Sequence, residues 1–106
     1  WGKYTVLEKS PTYKIKKIVV NPVSSLSLQQ HKHRSEHWII IKGKAKVQID
    51  DTETTVNENE SIFVPKRTKH RLSNPFESIL EIIEVQNGDY VGEDDIERFD
   101  DIYDRD

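Results

Sequence analysis

The chain contains no cysteine and no methionine among its 106 residues, and only four glycines and four prolines. Without cysteine, disulfides, thiolate metal sites and cysteine nucleophiles are all excluded. Hydrophobic residues make up only 34%, against 33% charged. That lean supply is enough for a small core because the apolar residues fall in blocks. No apolar run approaches the ~18 residues of a membrane helix, and no signal peptide opens the chain. A cytoplasmic protein with no membrane partner is therefore expected. The net charge of −3 argues against a general nucleic-acid binder. The charge is also uneven: residues 93–106 carry eight acids and two bases, whereas residues 1–92 carry eleven acids and fourteen bases. A mildly basic body of this kind suits a small anionic ligand. The length fits one domain. A start at Trp1 without methionine reads as a domain cut from a longer polypeptide.

What is present is strand periodicity. Tyr13–Val20 is rich in β-branched residues and roughly alternates, and Leu26–Gln30 and Ala45–Ile49 alternate. His37–Lys42 is a short apolar run that stops at Gly43, and Ser61–Val64 stops at Pro65. Asp50-Asp51 reads as a hairpin turn into Thr52–Val56, and Asn74-Pro75 separates Lys69–Leu72 from Ile79–Gln86. Seven to nine short strands, with no sustained helical period before residue 93, predict an all-β sandwich or barrel. Beyond that point Ile96, Phe99 and Tyr103 share one helical face, and Asp94 or Asp95 stands where a cap belongs. A short C-terminal helix is expected there, packing these three side chains against the barrel.

Four histidines carry the chemical interest. His31, His33 and His37 lie within seven residues, and His70 follows Pro65 and a basic loop. Side chains two apart on a strand point the same way, so Gln29 and His31 share a face, with Glu36 after a short turn. Two imidazoles, a carboxylate and an amide oxygen make a mixed nitrogen and oxygen set for a divalent metal. The competing reading is a cluster of surface polar residues.

The longer spacing resembles the two-part signature of the cupin family, G-x5-H-x-H-x4-E-x6-G and later G-x5-P-x-G-x2-H-x3-N. His31, Glu36, Gly43, Pro65, His70 and Asn74 match in place. Val23, Asn59 and Arg67 stand at glycine places, and Gln29 at the first histidine place. Glycine supplies turns that other residues resist, so the loop geometry is expected to depart at those three positions. A Gln, His, Glu, His set is similar to that of phosphomannose isomerases. The wider pattern includes Trp1-Gly-Lys-Tyr, Leu26-Ser-Leu-Gln, His31-Lys-His-Arg-Ser-Glu-His-Trp38, His70-Arg-Leu-x-Asn-Pro75 and Gly92-Glu-Asp-Asp-Ile-x-Arg-Phe99. It resembles the C-terminal domain of type II mannose-6-phosphate isomerases, usually fused behind a mannose-1-phosphate guanylyltransferase. The resemblance implies a cupin double-stranded β-helix, or small jelly-roll barrel, with residues 1–106 as a single domain. It also implies an N-terminal nucleotidyltransferase domain in the full-length chain. Edge strands that must be covered add the expectation of a homodimer.

The implied reaction interconverts mannose 6-phosphate and fructose 6-phosphate on the way to GDP-mannose and polysaccharide. It needs a base, a stabiliser of the enediolate oxygens and an anchor for the phosphate. The resemblance implies a divalent metal at Gln29, His31, Glu36 and His70. Zinc is favoured by the family, and cobalt, manganese, nickel and iron are chemically reasonable. His33 is a candidate base, a fifth ligand or a loop residue, and alternation from Glu36 turns His37 away. Ile82, Glu84 and Gln86 share a face; if it looks inward, Glu84 is a second candidate base. Arg34, between the ligand-bearing strands, is expected to reach the pocket and meet the phosphate or the developing oxyanion. Lys66 and Arg67 in the loop after Pro65 are further phosphate candidates, as are Lys14 and Lys16 if they point inward. Arg98 is a sugar-binding or structural residue, and Trp38 a pocket wall or a core aromatic. Two other functions compete. One is a non-catalytic module that binds a sugar phosphate or assembles the parent enzyme. The other is an iron-dependent oxygenase, disfavoured because Gln29 takes a position that oxygen would use.

Overall fold

The computed structural model describes residues 1–100, and every regular element in them is a strand. One antiparallel sheet runs in the order β1 (Gly2–Lys9), β2 (Tyr13–Val20), β10 (Leu80–Gly88), β5 (Arg34–Lys42) and β8 (Ser61–Val64). The second runs β11 (Glu97–Asp100), β4 (Leu28–Gln30), β9 (His70–Asn74), β6 (Ala45–Ile49) and β7 (Thr52–Val56), with β3 (Ser24–Ser25) also beside β9. Among the described residues no helix is long and apolar enough to cross a membrane.

The pleat sends alternate side chains inward, and the inward positions change character along each central strand. In β2 they read Lys14, Lys16, Ile18, Val20; in β5, Arg34, Glu36, Trp38, Ile40; in β10, Leu80, Ile82, Glu84, Gln86. Antiparallel register aligns like with like. Leu80 faces Val20, and Ile82 faces both Ile18 and Ile40. Glu84 faces Lys16 and Trp38, and Gln86 faces Lys14 and Glu36. One half of the barrel is therefore a dry core, in which Ile18, Val20, Ile40, Leu80 and Ile82 pack against Val47 and Leu72 of the opposite sheet. The other half is lined with buried charge. Strands fully apolar on the inside would have closed the barrel around a core alone.

The glycine-place substitutions keep glycine's backbone. Val23, Asn59 and Arg67 adopt φ of 52°, 69° and 58°, beside 83° at Gly43. The expected departure of loop geometry is not seen; the turns are held by their surroundings, at a conformational cost. Asn74 is one such support, donating to the carbonyls of Val20, Asn21 and Ser78 and accepting from the Phe76 amide. Valine is the least suited of the three, since a β-branched residue at positive φ is a genuine outlier. Val23 is 73% exposed, so its side chain contributes little packing in return. Val23→Gly is expected to raise stability by ~0.5–1 kcal/mol, the left-handed penalty of ~1–2 less the extra entropy of glycine. Urea unfolding measures it, and a fall in midpoint would show that the isopropyl group packs after all.

The expected C-terminal helix is replaced by a strand. Glu97–Asp100 pairs antiparallel with β4, Arg98 opposite Gln29 and Glu97 opposite Gln30, with an irregularity between Arg98 and Asp100. The three-residue β4 would otherwise end the sheet with unpaired backbone, and the strand that satisfies it outweighs a one-turn hydrophobic stripe. Ile96 is half-buried, Phe99 is exposed with the Lys69 ammonium over its ring, and Tyr103 lies outside the described residues. Up to Asp100 the tail docks by strand pairing, not by a helical face.

Candidate metal and sugar-phosphate site

The charged half of the barrel encloses a cavity of about 340 Å³. Among its walls are Gln29, Arg34, Glu36, Trp38, His70, Glu84 and Arg98. His31 follows the end of β4 and His70 opens β9, at the same end of that antiparallel pair, with rings 5.1 Å apart, and Glu36 reaches in from the facing sheet. One ligand atom from each of His31, Glu36 and His70 lies within 4.8 Å of the others, and all three residues are buried. Gln29 sits directly opposite His70 in the sheet, walls the same cavity, and donates its amide to Ser27 Oγ at 3.4 Å.

Hydrogen bonding settles which nitrogens face the cluster. His31 Nδ1–H donates to the Asp95 carbonyl at 2.5 Å, and His70 Nδ1–H donates to the Thr68 carbonyl at 3.1 Å. Both rings thereby offer an Nε2 lone pair, the usual way a backbone partner fixes a ligating tautomer. Burial, then the nearby Arg34, pushes the His31 pKa down to about 4, and burial also lowers that of His70. His31 Nε2 and Glu36 Oε2 stand 3.2 Å apart. Two acceptor atoms that close need positive charge beside them, from a metal ion or from a side chain. This donor set fits a divalent metal.

A cation of the chain's own also meets these atoms. Arg34 donates Nε–H to Glu36 Oε2 at 2.9 Å, and its Nη2 lies 3.3 Å from His31 Nε2. Arg34 was expected in the segment between strands. It opens β5 instead, and is 6% exposed. Its Nη1 is buried without a hydrogen-bond partner among the described residues.

Behind the cluster lie two carboxyl groups joined by one indole. Trp38 Nε1–H is shared between Glu36 Oε1 at 2.9 Å and Glu84 Oε2 at 3.1 Å. Glu84 also accepts from Gln86 Nε2 at 2.6 Å. Burial, then the neighbouring Glu36, pushes the Glu84 carboxyl up to about 8. The face shared by Ile82, Glu84 and Gln86 does look inward. Trp38 is both core aromatic and cavity wall.

Other candidates fall elsewhere. His33 is half-exposed, 3.4 Å from Asp89 and edge-on to Tyr90, and it lines a separate surface cavity. His37 is exposed and its ring rests on Phe63. Lys66 and Arg67 are exposed and do not wall the main cavity, although the Arg67 amide donates to the His31 carbonyl at 2.6 Å. Arg98 is exposed at the rim yet contributes to the wall. Lys14 and Lys16 do point inward and are buried.

Sequence reasoning missed two acids of the tail. Asp95 is no helix cap. Its carboxylate accepts from the amides of Lys32 and His33, each at 2.9 Å, while its carbonyl holds His31. Burial would raise its pKa, but the two amide hydrogen bonds prevail and lower it. Glu93 pairs with Lys14 and Lys16. The sequence signals were the acidic run and the Gly92–Phe99 part of the family pattern, neither of which says what the two acids touch.

A small antiparallel barrel with an inward His, Glu, His set defines a cupin. The cupin domain of Cnp3 from Schizosaccharomyces pombe superposes with a TM-score of 0.78 at 16% identity, over 81% of this chain and 64% of that one. Within that class the chain belongs to the mannose-6-phosphate isomerase C-terminal family, whose model matches residues 1–101. It is 50% identical over 105 residues to the alginate biosynthesis protein AlgA of Pseudomonas putida, covering 99% of this chain. It is 49% identical, over the same share, to a mannose-1-phosphate guanylyltransferase of Salmonella montevideo. The chain spans 22% of the length of each of these relatives.

Proposed function

We propose that this domain is a metal-dependent isomerase interconverting mannose 6-phosphate and fructose 6-phosphate. It would act in the cytoplasm as the C-terminal part of a longer GDP-mannose pathway enzyme, behind a nucleotidyltransferase domain. The observation that carries the reading is the convergence of His31, Glu36 and His70 beside a cavity walled by Glu36, His70, Arg34 and Glu84. Family membership supports it.

His31, Glu36 and His70, with Gln29 beside them, would hold a divalent ion, zinc by family habit. Such an ion supplies Lewis-acid polarisation of the sugar oxygens. The chain's own groups divide the remaining work. Glu84 faces the cavity with its carboxyl fixed by Trp38 and Gln86, and serves as the base that takes a proton from C2 and returns it at C1. With its carboxyl pushed up to about 8, the base is mostly protonated at neutral pH, and turnover should rise as pH approaches 8 and the carboxylate forms. Arg34 offers the unpartnered Nη1 to the oxygen on which negative charge develops. Arg98 at the rim is suited to hydrogen-bond the sugar's hydroxyls. Trp38 and Leu72 exclude water from the enediol face.

A coupled assay for fructose 6-phosphate tests the reading. The chain stripped with a chelator should be inactive, and zinc, cobalt, manganese, nickel or iron(II) should restore turnover. A folded chain that leaves mannose 6-phosphate unchanged with all five metals would overturn it.

A further inference from the structure

Away from the metal ligands, two lysines on the inner face of β2 are almost wholly buried, Lys14 at 2% and Lys16 at 5% exposure. Their ammonium groups meet on one carboxylate. Lys14 Nζ lies 2.6 Å from Glu93 Oε2, and Lys16 Nζ lies 2.9 Å from Oε2 and 3.0 Å from Oε1. Lys16 also lies over the Tyr4 ring, 4.2 Å from its centroid. Two ammonium groups bring six N–H donors and two charges; Glu93 returns two oxygens and one charge. The pair is over-supplied with positive charge for a monoanion and balanced for a dianion. Lys16 and Glu93 both wall the main cavity.

The two sides of this contact differ in mobility. The lysines sit in a strand hydrogen-bonded on both edges, between β1 and β10. Glu93 lies in a turn outside either sheet, and its side chain is 53% exposed. Its carboxylate can swing out to water once an incoming anion takes over the two ammonium groups, while the strand holds the lysines' backbone in place. From β2 to β5, which carries Glu36, is two strand spacings, ~10 Å. That suits a six-carbon sugar phosphate whose reacting carbons lie at the metal ligands and whose phosphate lies on β2.

We propose that Lys14 and Lys16 form the seat for the substrate's phosphate, and that Glu93 is a stand-in anion displaced when the phosphate arrives. This rests on the sugar-phosphate reading above, but its test does not depend on turnover. The probe is inorganic phosphate, titrated calorimetrically into the metal-free chain, with mannose 6-phosphate and mannose as further arms. Removing the internal competitor frees the seat, so Glu93→Gln should bind phosphate roughly tenfold more tightly than wild type. Lys16→Met should bind it at least about tenfold more weakly, with thermal unfolding checked in both. Mannose 6-phosphate should show the same pattern, and mannose should be indifferent to Glu93. In turnover, Lys16→Met should raise KM more than it lowers kcat. Unchanged or weaker phosphate binding in Glu93→Gln overturns the proposal even if the enzyme isomerises. Tighter binding in that variant, from a chain that does not isomerise, upholds the seat and refutes the isomerase reading alone.

Discussion

His70→Ala is expected to abolish measurable divalent metal binding at the His31, Glu36 and His70 cluster and to end turnover, while the barrel stays folded. The ring contributes one of three inward donors, and its tautomer is fixed by Thr68. Loss of an outer partner alone lowers metal affinity by ~10–100-fold, so loss of a donor atom must lower it further. The fold should survive because His70 lies at the polar end of β9, whereas the buried core cluster draws on Leu72 of the same strand. Competition with a chromophoric chelator measures affinity, and circular dichroism checks the fold. His33→Ala is the matched control. Its ring is directed at Asp89 and Tyr90, so metal affinity should not move. If His70→Ala retains wild-type affinity, or His33→Ala loses it, the donor assignment is wrong.

The second large effect concerns Glu36 as a counterion. In Glu36→Ala the Arg34 guanidinium stays buried with its main partner gone, a situation that costs ~3–5 kcal/mol. Part is returned, because Glu84 loses the neighbour that, after burial, does most to keep it protonated, and can ionise in Glu36's place. A net loss of about 3 kcal/mol is expected. Against a total stability of ~5–15 kcal/mol, the melting temperature should fall by more than 10 °C, at ~4–8 °C per kcal/mol in a domain this small. The double variant Glu36→Ala/Arg34→Met should regain much of this, since it removes the stranded charge as well. A single variant as stable as wild type would mean that Arg34 finds another anion or leaves the interior.

These effects rest on residues of differing legibility. Strand alternation gave Gln29 and His31 a common face, and the cupin-like spacing pointed to Glu36 and His70 as their partners; His31, Glu36 and His70 do converge, with Gln29 on the adjoining cavity wall. Alternation also put Glu84 on a single face with Ile82 and Gln86, though not which way that face looked. Direction fails at bends. His33 and Arg34 are adjacent, yet the bend before β5 sends one ring outward and one guanidinium inward. Lys66 and Arg67 are misleading for a related reason: the loop's backbone touches the site through the Arg67 amide, and its side chains do not. β1 was unreadable because all eight of its residues are exposed, so burial imposed no pattern on it. The C-terminal strand was hidden by a three-residue partner, β4, whose need for pairing is a property of the assembled sheet. Asp95 and Glu93 act on residues more than sixty positions away, beyond the reach of any local pattern.

The Asp95 contacts also bear on the order in which the molecule is made. His31 is oriented by a carbonyl 64 positions later in the chain, and the bend that follows it is pinned by the same residue's carboxylate. β4 can therefore pair with β9, and β5 with β8 and β10, before His31 is aimed. The convergence of His31, Glu36 and His70 is completed only when Asp95 docks and the tail pairs beside β4. Under the proposed reading, a chain that stops short of Asp95 would carry all three ligands without the carbonyl that fixes the His31 ring, and would bind metal ~10–100-fold more weakly.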